Sequence, residues 1–349
     1  MSPRFFTAAA ILAASALAVT VRTAPAGDPV TVTHDASARR VDVQIAGRPF
    51  TSYIYPESLQ KPVLYPIRSA AGVVVTRGYP LEPRAGERAD HPHHVGHWFN
   101  YGDVNGYDFW GHSSATPAAN KGRMGTIVHR EVVAATGGTE RGELRVRADW
   151  LVPDGSVLLR EETQFVFEGG AGRRSIDRVT TWTAADAPVT FADTKEGAFG
   201  IRVARALDHP SKMPEVLVSA ADPTKTERRV DTSATGRYLA ADGTTGEEVW
   251  GTRGPWMGLT GTVEGKPVTL AILDHPSNHA HPTYWHARGY GLFAANPLGR
   301  QGYDPKQEAV SLTLDPGKGI TFRHRILVHD THVERSALQV EWERFSGRR

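Results

Sequence analysis

The sequence predicts an all-β fold, a large antiparallel β-sandwich carrying one short helix at its C-terminus. Apolar residues alternate with polar ones from residue 28 onward, which is the period of a half-buried strand. Gly 35 and Pro 23 make up about a sixth of the 349 residues and favour many short strands joined by turns. A helical spacing of apolar residues occurs only over 332–345.

The N-terminus reads as an export signal. Arg4 supplies a positive charge, Phe5 to Val21 is apolar and Ala-rich, and Ala24-Pro25-Ala26 offers small residues for cleavage near Ala26. Ala16-Leu17-Ala18 is a second candidate. Residues 1–26 are thus expected to be a leader and 27–349 a single sandwich domain, exported to the periplasm or exterior. Val41, Val43 and Ile45 form a first strand, Gly47-Arg48-Pro49 a turn, and Phe50 to Tyr55 a second strand. Leu144–Leu151 and Val157–Phe167 flank Pro153-Asp154-Gly155, a strong hairpin signal. Further strands are expected at 73–76, 126–134, 175–183, 189–192, 200–204, 216–220, 256–263, 268–273, 291–295, 310–314 and 320–329. Over 332–345, Val333, Leu338, Val340, Trp342 and Phe345 lie among charges, and Gly347 stops the helix.

Composition narrows the function. The chain has 40 Lys+Arg and 38 Asp+Glu, and without Arg4 and Arg22 of the leader the balance is 38 to 38. A neutral chain with no basic run argues against nucleic acid as partner. There is no cysteine, so disulfides, thiolate nucleophiles and thiolate-bound metals are excluded. No segment after the leader reaches the apolar length of a spanning helix.

Histidine is the informative residue. Of fifteen, five fall within 91–112 (His91, His93, His94, His97, His112) and four within 275–286 (His275, His279, His281, His286). Imidazole titrates near neutral pH, and clustering of this kind points to chemistry. Around the first cluster stand Trp98, Tyr101, Asp103, Asn105, Asp108 and Trp110, a mixture of rings, carboxylates and amides that suits a polyhydroxylated ligand. The second cluster follows the apolar strand 268–273, and the two are expected to converge at one end of the sandwich. A third segment, Asp193 to Arg202, sets Lys195 and Glu196 between two strands, either as a general base and its partner or as a surface ion pair. H-E-x-x-H, G-x-S-x-G and phosphate-loop motifs are all missing. Metal-assisted chemistry and metal-free His/Glu acid–base chemistry both remain open.

The string D-H-P-H-H-V-G-H-W-F-N-Y-G-D-V-N-G-Y-D-F-W (90–110) resembles a secreted bacterial family labelled methane oxygenase PmoA-like. The strings at 61–67, 195–202 and 274–299 share the resemblance, which runs from about residue 40 to the C-terminus. A membrane monooxygenase subunit would need several spanning helices, so the label itself is discounted. The resemblance implies a largely unassigned family associated with sugar-processing proteins. Its strand pattern is similar to the galactose-mutarotase-like supersandwich, whose cleft holds sugars.

The expectation is a secreted enzyme acting on a glycoside or sugar derivative, as epimerase, lyase or hydrolase. His93, His94, Glu196 and His279 are its catalytic candidates. Trp98, Asp103, Asn105, Lys195, Arg202, Tyr284, Trp285 and Arg288 would hold the ligand, with Trp98 or Trp285 as stacking platform. One divalent metal is a candidate cofactor, on His91, His93, His97 and His281. The alternatives are a metal-dependent oxygenase and a non-catalytic sugar-binding sandwich. The partner is a small molecule or oligosaccharide.

Overall fold

The computed structural model describes Met1 and residues 27–347, and the leader read at 2–26 lies outside the described residues. In chain order the strands begin with β1 (Val30–Asp35), β2 (Arg40–Ile45), β3 (Arg48–Ile54), β4 (Val63–Leu64), β5 (His97–Tyr101), β6 (Thr126–Thr136) and β7 (Arg141–Leu151). Next come β8 (Val157–Gly170), β9 (Arg173–Ala184), β10 (Val189–Ala192), β11 (Gly197–Arg202), β12 (Glu215–Val218), β13 (Thr226–Arg229) and β14 (Arg237–Ala240). The last are β15 (Arg253–Gly254), β16 (Trp256–Val263), β17 (Lys266–Asp274), β18 (Thr283–Arg288), β19 (Leu292–Asn296), β20 (Ser311–Leu314) and β21 (Gly319–His329), followed by the helix α1 (Arg335–Ser346).

Two large sheets stack face to face, in the supersandwich-like layout that the sequence predicts. The first holds nine strands in the order β1-β2-β3-β4-β5-β11-β19-β18-β15. The second holds eight, β14-β16-β17-β21-β9-β8-β7-β6. All the pairings within these sheets are antiparallel, and the predicted hairpin at Pro153 joins β7 to β8. Alternation delivers the core between them. Val41, Val43, Ile45, Phe99, Phe199 and Phe293 from the first sheet meet Trp150, Phe165, Ile176, Trp182, Leu270 and Ile272 from the second. The opposite face of the second sheet is covered by α1, whose Leu338 and Trp342 pack on Trp256, Leu273 and Leu327. Gly347, in the left-handed region, ends that helix as predicted.

Three expectations change. Residues 73–76 form only isolated bridges, Val74 to Arg68 and Thr76 to Val203. His97–Tyr101, which is not among the strands expected from the sequence, is a regular strand. Thr283–Arg288, read within a His-rich loop, is the eighth strand of the first sheet. That last difference decides where the site lies.

Candidate functional site

The site is built on the outward face of the nine-stranded sheet, where its middle strands β5, β11, β19 and β18 lie side by side. Register sets Trp98 opposite Gly200, Gly200 opposite Ala294, and Ala294 opposite His286, so these four share one row on one face. The adjoining row is Arg202, Leu292 and Arg288. Tyr284, His286 and Arg288 therefore point outward, whereas Trp285 and Ala287 belong to the core between the sheets. Gly200 is required where it stands, because a Cβ there would come within 2.6 Å of the Trp98 indole.

The loop before β5 folds over this face. Arg77, buried, donates to the carbonyl oxygens of Arg88, Asp90, His91 and His94 and thereby holds the loop. Gly96, at φ +54°, brings the chain so close to Leu64 that a Cβ would lie 2.2 Å from its carbonyl oxygen. The result is a column of near-parallel rings. Tyr290 stacks on His91 at 5.0 Å, His91 on His94 at 5.0 Å, and His94 on Trp98 at 5.1 Å. Trp110 stands edge-on to both His94 and Trp98, and lies 6.3 Å from His286. Of the second histidine cluster only His286 reaches the first, with Tyr290 beyond it on the same segment, while His275, His279 and His281 lie on the turn that follows β17.

Cations surround the column. Arg202 pairs with Asp90, reaches His94 Nδ1 at 3.3 Å, and lies 5.0 Å over Tyr290. Arg77 pairs with the same Asp90 at 2.7 Å. Burial pushes the Asp90 carboxyl up, but His91, Arg202 and Arg77 outweigh it and hold it well below the usual carboxylate range. Lys61 donates to the His93 carbonyl at 2.8 Å and to that of Trp110 at 3.4 Å, and burial lowers its amine to about 7. It lines a cavity of about 260 Å³ with His93, His112, Ser113, Val95 and Leu81. Lys195 and Glu196 pair with each other, both partly exposed, and the Glu196 charge is felt at Tyr290, Tyr303 and Asp108.

In this setting His93, His94 and His286 are held neutral. Burial, then Lys61 and His91, lower His93 to about 2. Burial, then Lys195 and Arg288, lower His286 to about 3. Burial, then His93 and Arg202, take His94 well below its ordinary value. Because Arg202 can only donate to His94 Nδ1, the Nε2 of His94 carries the proton. That Nε2, the indole nitrogens of Trp98 and Trp110, and His286 Nδ1 are all buried without a hydrogen-bond partner among the described residues. Such groups are costly to leave unpaired, and here four of them gather in one place.

The structure thus brings His91, His93, His94, Lys195, Glu196, Arg202 and Arg288 to one face, with Tyr284 beside them stacked on Tyr303 at 5.2 Å. It removes others. His97 points into the core, where it meets Gly200 O at 2.9 Å and Arg178 at 3.3 Å. His281 is bound to Asp274 at 2.7 Å and stacks on Trp342 of α1, and His279 is exposed on the same turn. His91, His93, His97 and His281 therefore form no common coordination sphere, and no three His, Asp or Glu side chains among the described residues are grouped to hold a metal ion. Trp285 is a core residue and Trp98 lies beneath His94, so neither is a platform open to a ligand. Asp103 accepts the Gly106 N–H of its own turn, and the Asn105 amide is used on Thr190 and Pro188. Arg202 is spent on Asp90 and His94 rather than free for a ligand. Sequence reasoning missed Lys61 and Tyr290, and it named Trp110 and His286 without assigning either a role. Alternation over 283–288 was the signal for His286.

A family model described as a family of unknown function (DUF6807) matches residues 40–343. The chain belongs to that family. Its description names no activity and no methane oxygenase. No curated protein matches the chain. Among solved structures it is similar to the GH36 α-galactosidase AgaB of Geobacillus stearothermophilus, at 11% identity and TM-score 0.41, covering 86% of this chain and 41% of that one. An α-galactosidase of Lactobacillus brevis gives 9%, 0.42, 90% and 41%. The Slr1438 protein of Synechocystis gives 12%, 0.29, 88% and 97%. The DUF6807 chain thus spans about two fifths of the length of these galactosidases. No helix among the described residues is long and apolar enough to cross a membrane.

Proposed function

We propose that this DUF6807 protein is an exported enzyme acting on a glycoside or sugar derivative by acid–base chemistry on the outward face of its nine-stranded sheet. The observation that carries this reading is the gathering of unpartnered polar atoms on His94, Trp98, Trp110 and His286 beside the Lys195–Glu196 pair. Groups of this kind await the oxygen atoms of a ligand. His94, neutral and protonated at Nε2, donates to a carbonyl or hydroxyl oxygen, as a neutral imidazole does when its pKa is held low. Glu196 supplies the base, and the face of Tyr290 offers a stacking surface for the apolar side of a ring. Export rests on the apolar leader over 5–21. The chemistry is placed among epimerisation, elimination and hydrolysis, all of which need one group that takes a proton and one that polarises oxygen.

The test is turnover on a panel of glycosides and 3-keto-glycosides by the wild type, His94→Gln and Glu196→Gln. Both variants are expected to lose turnover. The Glu196 ion pair is exposed, so that variant should melt within about 1 kcal/mol of wild type. Full activity in Glu196→Gln would remove it from the mechanism. Sugar binding with no product from any substrate would instead make the protein a binding sandwich.

A further inference from the structure

The charges on this face are not evenly partnered. Arg77 and Arg202 share Asp90, and Lys195 pairs with Glu196. Lys61 is satisfied by backbone carbonyls. Arg288 differs from all of these. Its guanidinium lies 5.3 Å over Trp250 and 5.9 Å over Tyr290, and it has no hydrogen bond or ion pair with any described residue. A guanidinium sandwiched on rings is held in one orientation with its five donors free, so little further ordering is needed to receive an oxyanion.

Its position is also specific. Arg288 and His286 alternate on β18 and face the same way, roughly 7 Å apart at strand rise. Arg202 lies two strands across in the same row, roughly 10 Å away. A ring seated against Tyr290 and His286 would present an exocyclic group to Arg288. The field there is positive. Arg288 and Lys195 both depress His286, while Arg202 and Arg77 both depress His93 and His94. A positive field around neutral donors favours a negatively charged ligand.

We propose that the site takes an acidic sugar, a pyranoside bearing a carboxylate or another singly charged oxyanion, and that Arg288 receives that group. This rests on the sugar-site reading above and names its substrate class. A single free guanidinium matches a single negative charge. A phosphate monoester, with its second charge, would call for a second free cation, and the neighbouring ones are already paired. A carboxylate and a sulfate ester share the required chemistry.

Binding to the full mature chain is followed by tryptophan fluorescence, since Trp250 and Trp110 both border the site. The probes are D-glucuronate, its methyl ester, D-glucose and glucose 6-sulfate, against wild type, Arg288→Gln and Arg288→Lys. Glucuronate should bind about tenfold to a hundredfold more tightly than its ester or glucose, and the advantage should shrink in high salt. Arg288→Gln should abolish the advantage. Arg288→Lys keeps the charge but loses the fork and should recover part of it. If glucose 6-sulfate shows the Arg288-dependent advantage and glucuronate does not, the anion is a sulfate ester and the acidic-sugar proposal stands. Equal binding of charged and neutral sugars, unchanged in Arg288→Gln, would overturn the proposal and leave the sugar site intact. Binding of none of them would overturn both.

Discussion

A single added methyl group at position 200 probes how the site is assembled. Trp98 is the base of the ring column, and it lies flat on the sheet because Gly200 opposite has no side chain. Gly200→Ala puts a Cβ within 2.6 Å of the indole, and overpacking of this kind costs about 1–3 kcal/mol. Trp98 must then tilt, carrying His94 with it. Loss of turnover should therefore exceed what the drop in stability explains, and the near-ultraviolet circular dichroism of the tryptophans should change. Gly170→Ala is the control, because that position opens onto free space. Equal behaviour of the two variants would sink the idea. At this scale the sequence was only partly legible. Clustering singled out His93 and His94, but it could not tell them from His97, whose ring faces the core because it is separated from His93 by Gly96 and begins a strand. The sequence named Arg288 as a candidate to hold a ligand, whereas its lack of a side-chain partner was not legible. Pairing is a three-dimensional property.

Elements were legible where local chemistry marks both ends. The hairpin at Pro153-Asp154-Gly155, the strands Val189–Ala192 and Trp256–Val263, and the helix with its Gly347 stop all carry such marks. β18 lacked them, because its outward residues, Tyr284, His286 and Arg288, read as a polar loop until their neighbours Trp285 and Ala287 are seen to fill the core. The helix and the site lie on opposite outer faces of the sandwich, and this separation has a consequence. Leu338 sits against bare Gly258, where a Cβ would be 2.7 Å from its Cδ1, within the cluster that also holds Trp256 and Trp342. Leu338→Ala should cost about 2–5 kcal/mol, read from denaturant unfolding. Turnover of the folded fraction at saturating substrate should be unchanged. A fall in kcat without loss of stability would mean that α1 acts on the site through the sheets.

For the whole molecule, histidines removed from water set the response to acid. His93 and His286 titrate at about 2 and about 3 when folded, and His129, half-buried against Tyr53 and Tyr55, at about 4. In the unfolded chain each takes up its proton near 6.5. Between these values the unfolded state binds more protons than the folded one, so stability is full above pH 6.5 and is lost as pH falls toward 3. For buried His286 the slope approaches about 1.4 kcal/mol per pH unit in that window. Paired carboxylates such as half-buried Asp90 and buried Asp274, held low by their partners, add to the loss only below the ordinary carboxylate range. Acid sensitivity should therefore begin near pH 6.5, well above the onset that carboxylates alone would give. Melting temperatures measured from pH 8 to 4 should fall from about 6.5 downward, and more shallowly in His129→Gln, which lies outside the site. A flat profile between pH 7 and 5 would show that these imidazoles are protonated when folded. In that case His94 could not be relied on as a neutral donor, and the same measurement would weaken the acid–base roles assigned above.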